Sequence, residues 1–532
     1  MTGKQALPTG WEQGVIGDLV GSEGEFTDGD WVESKDQDPY GEVRLIQLAD
    51  VGDGRFLNKS ARFLTGAKAK ALNCTFLRAG DVLVARMPEP LGRAAIFPGD
   101  EKRSVTAVDV CIVRPGTDEI SNSWLVHAIN SPQFRGDVAA LQSGSTRKRI
   151  SRGNLASVAL RIPPTREQKR IADKCDELLS DLDGGIAALQ RALERLKLYR
   201  AAVLKAAVEG RLTETWRAAH PDFEPAEKLL ERILAERRKK WEEAQLKKYA
   251  EKGQSPPKDW KDRYPEPSKP DLALLPALRK GWCWATIDQC ALGDSNAITD
   301  GPFGSNLKSE HYAHNGPRVI RLQNIGDGEF VDASAHISQE RYTSLQKHAV
   351  SGRDVVIAML GEVLPRACVI PDHVPPAIVK ADCAKVSFNK ALCVPEYANC
   401  ALNSEMVRKR AASSIKGVGR PRLNLSHVRE IPIPLPPLME QLEIWAAVST
   451  AIDASRHQGR EVATSIARSA GLRQAILKRA FKGMLVPQDP KDEPASRLLE
   501  RIRAQRAVEK GRTNGGGGSR KKGRRRGGAT PL

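Results

Sequence analysis

Apolar and polar residues alternate in short runs over residues 7 to about 162, and glycine and proline break the runs. Val43–Leu48, Asp81–Ala85 and Val108–Val113 are rich in β-branched residues, which predicts strands. Gly52-Asp53-Gly54 lies between two such stretches and predicts a hairpin turn, because glycine takes positive φ at little cost. The period changes after Pro163-Pro164. Ile171, Cys175, Leu178, Leu182, Ile186, Leu189, Leu193 and Leu196 recur at steps of three and four, which predicts a long amphipathic helix with a coiled-coil seam. Gly184-Gly185 cost it about 1 kcal/mol each relative to alanine. The seam stays in phase across them, so the predicted helix weakens there without ending.

The whole pattern is written twice. Arg44–Phe56 (RLIQLADVGDGRF) returns as Arg318–Phe330 (RVIRLQNIGDGEF). Asp81 and Asp354, Pro98 and Pro371, Glu167-Gln168 and Glu440-Gln441, and Gly210 and Gly483 are each separated by 273 residues. Gly10-Trp11 matches Gly281-Trp282 at 271, and PAEKLLERI (225–233) echoes PASRLLERI (494–502) at 269. Solenoid periods run roughly 20 to 50 residues, so this is a duplicated domain. Two similar modules suit a bipartite target. The second copy repeats the plan: strand-like segments over about 282 to 433, then a helix after Pro436-Pro437 seamed by Ile444, Val448, Ile452, Val462 and Ile466. That seam is poorer, with Ser455 and Gly459 standing where the first copy has Leu182 and Ile186. The expected partner of each helix is the other. A two-fold axis across them would make them antiparallel, with the modules at opposite ends, and about 40 helical residues span roughly 60 Å. Between the copies, Pro225–Lys252 predicts a charged helix and Gln254–Pro276 an irregular proline-rich linker.

The 532 residues carry a net charge of +18 with pI near 9.5, which points to a polyanionic partner and to nucleic acid ahead of membrane. No apolar run approaches the roughly 18 residues of a membrane span, and the N-terminus has no signal-like apolar stretch. The nine cysteines form no CxxC pair, which fits a reducing cytoplasm and indicates neither zinc ribbon nor disulfide framework. The tail from Gly515 to Leu532 holds basic residues and no acidic ones, and is expected to be disordered.

Catalytic sets are missing. The Pro-Pro pairs follow Ile162, Ser255, Val374 and Leu435, so none makes the Asn/Asp-Pro-Pro-aromatic box of an amino-methyltransferase. Pro221-Asp222 and Pro371-Asp372 lack the downstream carboxylates of a magnesium nuclease. The glycine pattern at 326–328 lacks the third glycine of a dinucleotide loop and reads as a hairpin. His311 and His314 have no further ligands in pattern.

The Pro-Pro…Glu-Gln helix openings LRIPPTREQKRIA (160–172) and IPIPLPPLMEQLEIW (431–445), the helix ends LYRAAVLKAAVEGRL (198–212) and GLRQAILKRAFKGML (471–485), and the segment DGPFGSNLK (300–308) resemble the specificity subunits of type I restriction–modification enzymes. The first copy departs from the pattern, having no GPFGS around Val20–Gly29. The resemblance implies an α+β fold: two similar mixed α/β target recognition domains separated by two long antiparallel helices forming a coiled coil. It implies recognition domains at 1–162 and 278–434, helical regions at 163–253 and 435–512, a linker at 254–277 and a basic tail at 513–532. It further implies a non-catalytic subunit with no cofactor of its own. Its partners would be double-stranded DNA, two methyltransferase subunits that use S-adenosylmethionine on adenine, and motor–nuclease subunits that use ATP and Mg. The helices would set the number of unread base pairs. A non-catalytic coiled-coil nucleic-acid scaffold without sequence specificity is the alternative.

Base readout needs Arg or Lys for guanine and Asn or Gln for adenine. Two loops before the helices supply such groups: Ser145, Thr146, Arg147, Lys148 and Arg149 in the first copy, and Lys416, Arg420 and Arg422 in the second. Ser305, Asn306 and Lys308 form a further candidate set, as do Arg321, Gln323 and Asn324. Arg93 and Arg366 match across copies and are expected to serve the shared fold.

Overall fold

The computed structural model describes residues 6–87, 89–144, 147–412 and 421–515, apart from the side chains of 305 and 510–515. The chain forms two compact units. The first joins residues up to Gln190 with those from Ala463 onward; the second is Arg191–Val462.

Each unit is built on a four-stranded sheet with one topology. In unit 1 the spatial order is Glu25–Thr27, Val110–Arg114, Val82–Ala85, Arg93–Ile96. In unit 2 it is Ile298–Asp300, Cys383–Val386, Val355–Ala358, Arg366–Val369. The central strands are apolar on both faces and fully buried, Val82 through Ala85 and Val355 through Ala358 alike. A second small sheet carries a parallel pair in each unit, Val43–Ile46 beside Arg103–Thr106 and Arg318–Ile320 beside Ala377–Val379. Both Gly-Asp-Gly segments are tight turns: Gly52 N donates to Arg55 O at 3.0 Å and Gly326 N to Glu329 O at 2.8 Å. Gly54 (φ 83°) and Gly328 (φ 82°) supply the left-handed residue.

The predicted long helices are Thr165–Val208 and Leu438–Ala480, and the first runs unbroken through Gly184-Gly185. Within unit 1 their ends run antiparallel. Ile171, Cys175 and Leu179 share a core with Leu477, Ala480 and Phe481, and Asp183 pairs with Arg473. Within unit 2 Arg200 Nε donates to Ser455 Oγ at 3.1 Å, and a Cβ on Gly459 would lie 3.9 Å from Leu196. The poorer seam therefore has a use. Small residues on the second helix leave room for two long side chains on the first.

The Glu-Gln landmarks rivet each domain to a helix. Trp11 Nε1 donates to Glu167 at 3.0 Å, and Trp282 Nε1 to Glu440 at 2.8 Å. Gln168 accepts from Ser121 N at 3.2 Å, and Gln441 from Val394 N at 2.9 Å. All four side chains are buried, where an unpaired amide or carboxylate would be costly.

The charged helices are exchanged between copies. Ala226–Glu251, which follows the first copy, packs Leu229 and Ile233 into unit 2, and Ala226 N bonds Gly281 O at 2.9 Å. Ala495–Gly515, which follows the second, packs Leu498, Leu499 and Ile502 into unit 1, and Ala495 N bonds Gly10 O at 2.9 Å. Burying two such side chains stabilises the first docking by on the order of 3–6 kcal/mol, and burying three stabilises the second by on the order of 5–9 kcal/mol.

Candidate nucleic-acid interface

Where the central strands of each main sheet end, at one edge of the unit, the same segments converge. In unit 1, Arg86 N bonds Asp109 O at 2.9 Å, and Ile150 N bonds Arg86 O at 3.1 Å. In unit 2, Met359 N bonds Asp382 O and Leu423 N bonds Met359 O, both at 2.8 Å. The loop before each long helix is thus laced to the hairpin edge by identical backbone bonds. An ion pair repeats on top of them: Arg149 with Asp109 at 2.9 Å, and Arg422 with Asp382 at 2.7 Å.

The frame behind this edge is duplicated as well. Asn130 exchanges two hydrogen bonds with the Ala94 backbone (3.0 and 2.8 Å), and Asn403 does the same with Ala367 (both 3.1 Å). Arg135 links Asn130, Asp53 and the Pro90 carbonyl, while Arg408 links Asn403, Asp327 and the Pro365 carbonyl. Asp50 accepts from Gln47 N at 2.8 Å, and Asn324 accepts from Arg321 N at 2.9 Å.

The side chains set on this frame differ, buried ones such as Arg86 and Met359 as well as exposed ones. In unit 1 Arg86 sits between Asp28 (3.3 Å) and Asp109 (3.7 Å), and Arg152 reaches Asp28 at 3.5 Å. Burial pushes the Asp30 carboxyl up to about 6, against the opposing bond it accepts from Thr75 N. In unit 2 Met359 replaces the Arg86 guanidinium. There an open groove of about 560 Å³ is lined by Ser309, Tyr312, Arg321, Gln323, Lys380 and Asp382, among others. Lys380 lies over the Tyr312 ring at 5.6 Å, and the Arg422 guanidinium lies 5.9 Å from the Phe303 ring. Fixed backbone, basic side chains and exposed rings on one edge form a surface suited to phosphates and base edges.

The type I restriction modification DNA specificity domain model matches residues 8–195 and 378–462, just over half of the chain. The chain belongs to this family. Among its relatives, the EcoBI specificity subunit of Escherichia coli is 28% identical over 415 residues, covering 76% of each chain. The EcoDI specificity subunit of Escherichia coli is 27% identical over 403 residues, covering 71% of this chain and 76% of its own. A chain solved in work on complex assembly and conformational transition of the type I R-M system aligns over 90% of this chain and all of its own. Its TM-score is 0.61 at 17% identity, a likeness of fold. Among the described residues no helix is long and apolar enough to cross a membrane, and no cluster of His, Cys, Asp and Glu could hold a metal ion.

The residues singled out from the family resemblance fall into three groups. Arg147, Lys148 and Arg149 are exposed on the unit 1 edge; Lys148 pairs with Glu89 at 2.6 Å, and Arg147 makes no ion pair among the described residues. Arg422, Gln323 and Arg321 lie together on the unit 2 edge, although Arg321 spends Nη2 on the carbonyls of Ala333 and Ser334. Asn306 and Lys308 are exposed beside them in the 300–308 segment, which also holds Ser305. Asn324 is a correction. It is 0% exposed, and its amide nitrogen is used by the carbonyls of Val331 (2.9 Å) and Ala333 (2.8 Å). It closes a turn, as Asp50 does in unit 1, and has no group left for a base. Ser145, Thr146, Lys416 and Arg420, and the basic tail beyond Gly515, lie outside the described residues. Arg93 and Arg366 bond backbone carbonyls of Val51 (2.6 Å) and Leu322 (3.3 Å), the role expected of them.

Sequence reasoning missed Lys380, Tyr312 and the first copy's counterpart of the 300–308 segment. Strand register supplies the last. Phe26 and Thr27 stand opposite Val113 and Ile112, and Ile298 and Thr299 opposite Val386 and Lys385. Asp28-Gly29 therefore occupies the place of Asp300-Gly301. The two glycines confirm the alignment independently: a Cβ on Gly29 would lie 2.2 Å from Ala107 O, and one on Gly301 2.1 Å from Lys380 C.

Proposed function

We propose that each unit reads one half of a split DNA sequence through the edge described above, and that the long helices set the number of unread base pairs between the halves. On this reading residues 1–162 and 278–434 are the two recognition domains. The subunit contributes recognition only. Methyltransferase partners transfer a methyl group from S-adenosylmethionine to an adenine in each half-site, and motor–nuclease partners use ATP and Mg to cut unmodified DNA in the cytoplasm. The observation that carries this reading is the duplicated edge: an identical backbone frame in both units with different outward side chains, as expected of two readers of different sequences on one scaffold.

Exchanging residues 282–430 for the matching segment of a relative tests it. Sequencing of methylated bases in cells carrying the hybrid is expected to show one half-site changed and the other retained. A hybrid that altered both halves, or modified DNA without a defined motif, would overturn modular reading.

A further inference from the structure

The chain has nine tryptophans and eleven phenylalanines. All lie among the described residues, and one tryptophan and one phenylalanine are left exposed: Trp31 at 68% and Phe303 at 46%. Exposed rings of this size forgo a large hydrophobic gain. These two occupy the same position. The register that equates Asp28-Gly29 with Asp300-Gly301 equates Asp30-Trp31 with Pro302-Phe303. In both units the glycine lies flat against the strand backbone, with no room for a side chain, and the ring projects two residues later.

Phe303 stands on the basic edge, and Trp31 follows the matching strand end in unit 1. Phe303 lies 5.9 Å from the Arg422 guanidinium, which in turn pairs with Asp382. Three residues before Trp31, Asp28 is held by Arg86 and Arg152, and Arg149 pairs with Asp109 beside them. Trp31 Nε1 donates to Glu33 at 3.2 Å. An exposed flat ring matches the π-face of a nucleobase, and the arginines of the same units suit its phosphates. The need is specific. A base modified within a duplex must leave the stack, and the gap costs unstacking energy until something fills it.

We propose that Trp31 and Phe303 are a matched pair of wedges, each entering the base stack of the half-site read by its own unit. This rests on the split-site reading above. Neither residue is fixed by chemistry as Trp or Phe; what is repeated is a large ring at a turn pressed onto the sheet.

The test uses the assembled complex of this subunit with its methyltransferase partners and three duplexes: the motif found by methylome sequencing, and the same duplex with one or the other half-site scrambled. W31A should weaken binding to the intact motif by roughly five- to a hundredfold, the range of one lost base–aromatic stack. W31F should stay within about threefold of the parent, since a ring is retained. The W31A loss should vanish when the half-site of unit 1 is scrambled and persist when the other half is; F303A should show the mirror image. W31A and F303A with parental affinity, or with the same loss on all three duplexes, would overturn the proposal. So would intact DNA affinity with failed assembly, which would make the rings a protein-binding surface. If instead the parent binds all three duplexes alike, the split-site reading fails, and the wedges fail with it.

Discussion

Unit 1 and unit 2 can be laid over each other hydrogen bond by hydrogen bond, yet their exposed edges have little in common. Asn130 and Asn403, Arg135 and Arg408, Gln168 and Gln441, and Arg149 and Arg422 make the same contacts in both. Around them the outward positions differ: Gln47 is matched by Arg321, Ala49 by Gln323 and Ala107 by Lys380, while the unlike pair Arg86 and Met359 is buried in both units. A polar group that must be satisfied inside the protein cannot change without its partner. One that faces outward is free to change with the ligand. The duplication therefore sorts scaffold from reader without any appeal to other sequences.

The largest test of that sorting concerns the rivets. Glu440 accepts from Trp282 and Thr213 and also pairs with the guanidinium of Arg217, all inside unit 2. Its counterpart Glu167 accepts from Trp11 and, among the described residues, has no such arginine at hydrogen-bonding distance; burial raises its carboxyl pKa. Glu440→Ala leaves a largely covered arginine without its buried anion and should cost about 3–5 kcal/mol. Glu167→Ala should cost about 1–3 kcal/mol. Denaturant unfolding of the full chain would show each variant lowering the transition of its own unit. Equal losses would mean that the two rivets are equivalent despite their different partners.

A smaller effect is expected at the glycines beneath the exposed rings. Gly29→Ala and Gly301→Ala each force a methyl group into backbone and should cost about 1–3 kcal/mol of overpacking. The displaced turn should weaken binding of the duplex only through the half-site of the altered unit. A loss spread over both half-sites would break the equivalence of the two turns.

The smallest effect separates the units by pH. Asp30 has its carboxyl raised by burial, and unit 2 has Pro302 at that place. For a raised carboxyl the sign is fixed: its stabilising contribution is complete below the unfolded value near 3.8 and is lost as pH rises through about 6. Asp30→Asn keeps an acceptor for Thr75 N and removes the ionisation. It should stabilise unit 1 by about 1 kcal/mol at pH 7.5, allowing for partial exposure, and have little effect at pH 4. Thermal unfolding at the two pH values measures this, and a gain of the same size at both would exclude titration as its source.

Much of this architecture was legible as pattern. The step of three and four from Ile171 onward marks a helix because one face must meet another apolar surface, and Gly-Asp-Gly marks a turn because few residues tolerate positive φ. The exchange of the charged helices was hidden. Leu229 and Ile233 announce an apolar stripe, but not which domain will cover it. Asn324 was misread because an amide looks the same in sequence whether it faces a base or its own turn. The first copy's edge motif was missed because only Thr27, Asp28 and Gly29 are shared, and they sit one residue out of step with the 273-residue repeat. Backbone register and the missing Cβ recover it.

The crosswise docking of the terminal helix has a consequence for how the chain is made. Unit 2 is a continuous stretch, so every residue it needs has left the ribosome once Val462 emerges. Unit 1 must wait: Glu119 meets Arg501, and the Val20 carbonyl meets Arg506, across nearly the length of the polypeptide. Such distant pairings are slow to close. The domain synthesised first is thus the last to be finished, and until then the apolar seats for Leu498, Leu499 and Ile502 stand open to chaperones.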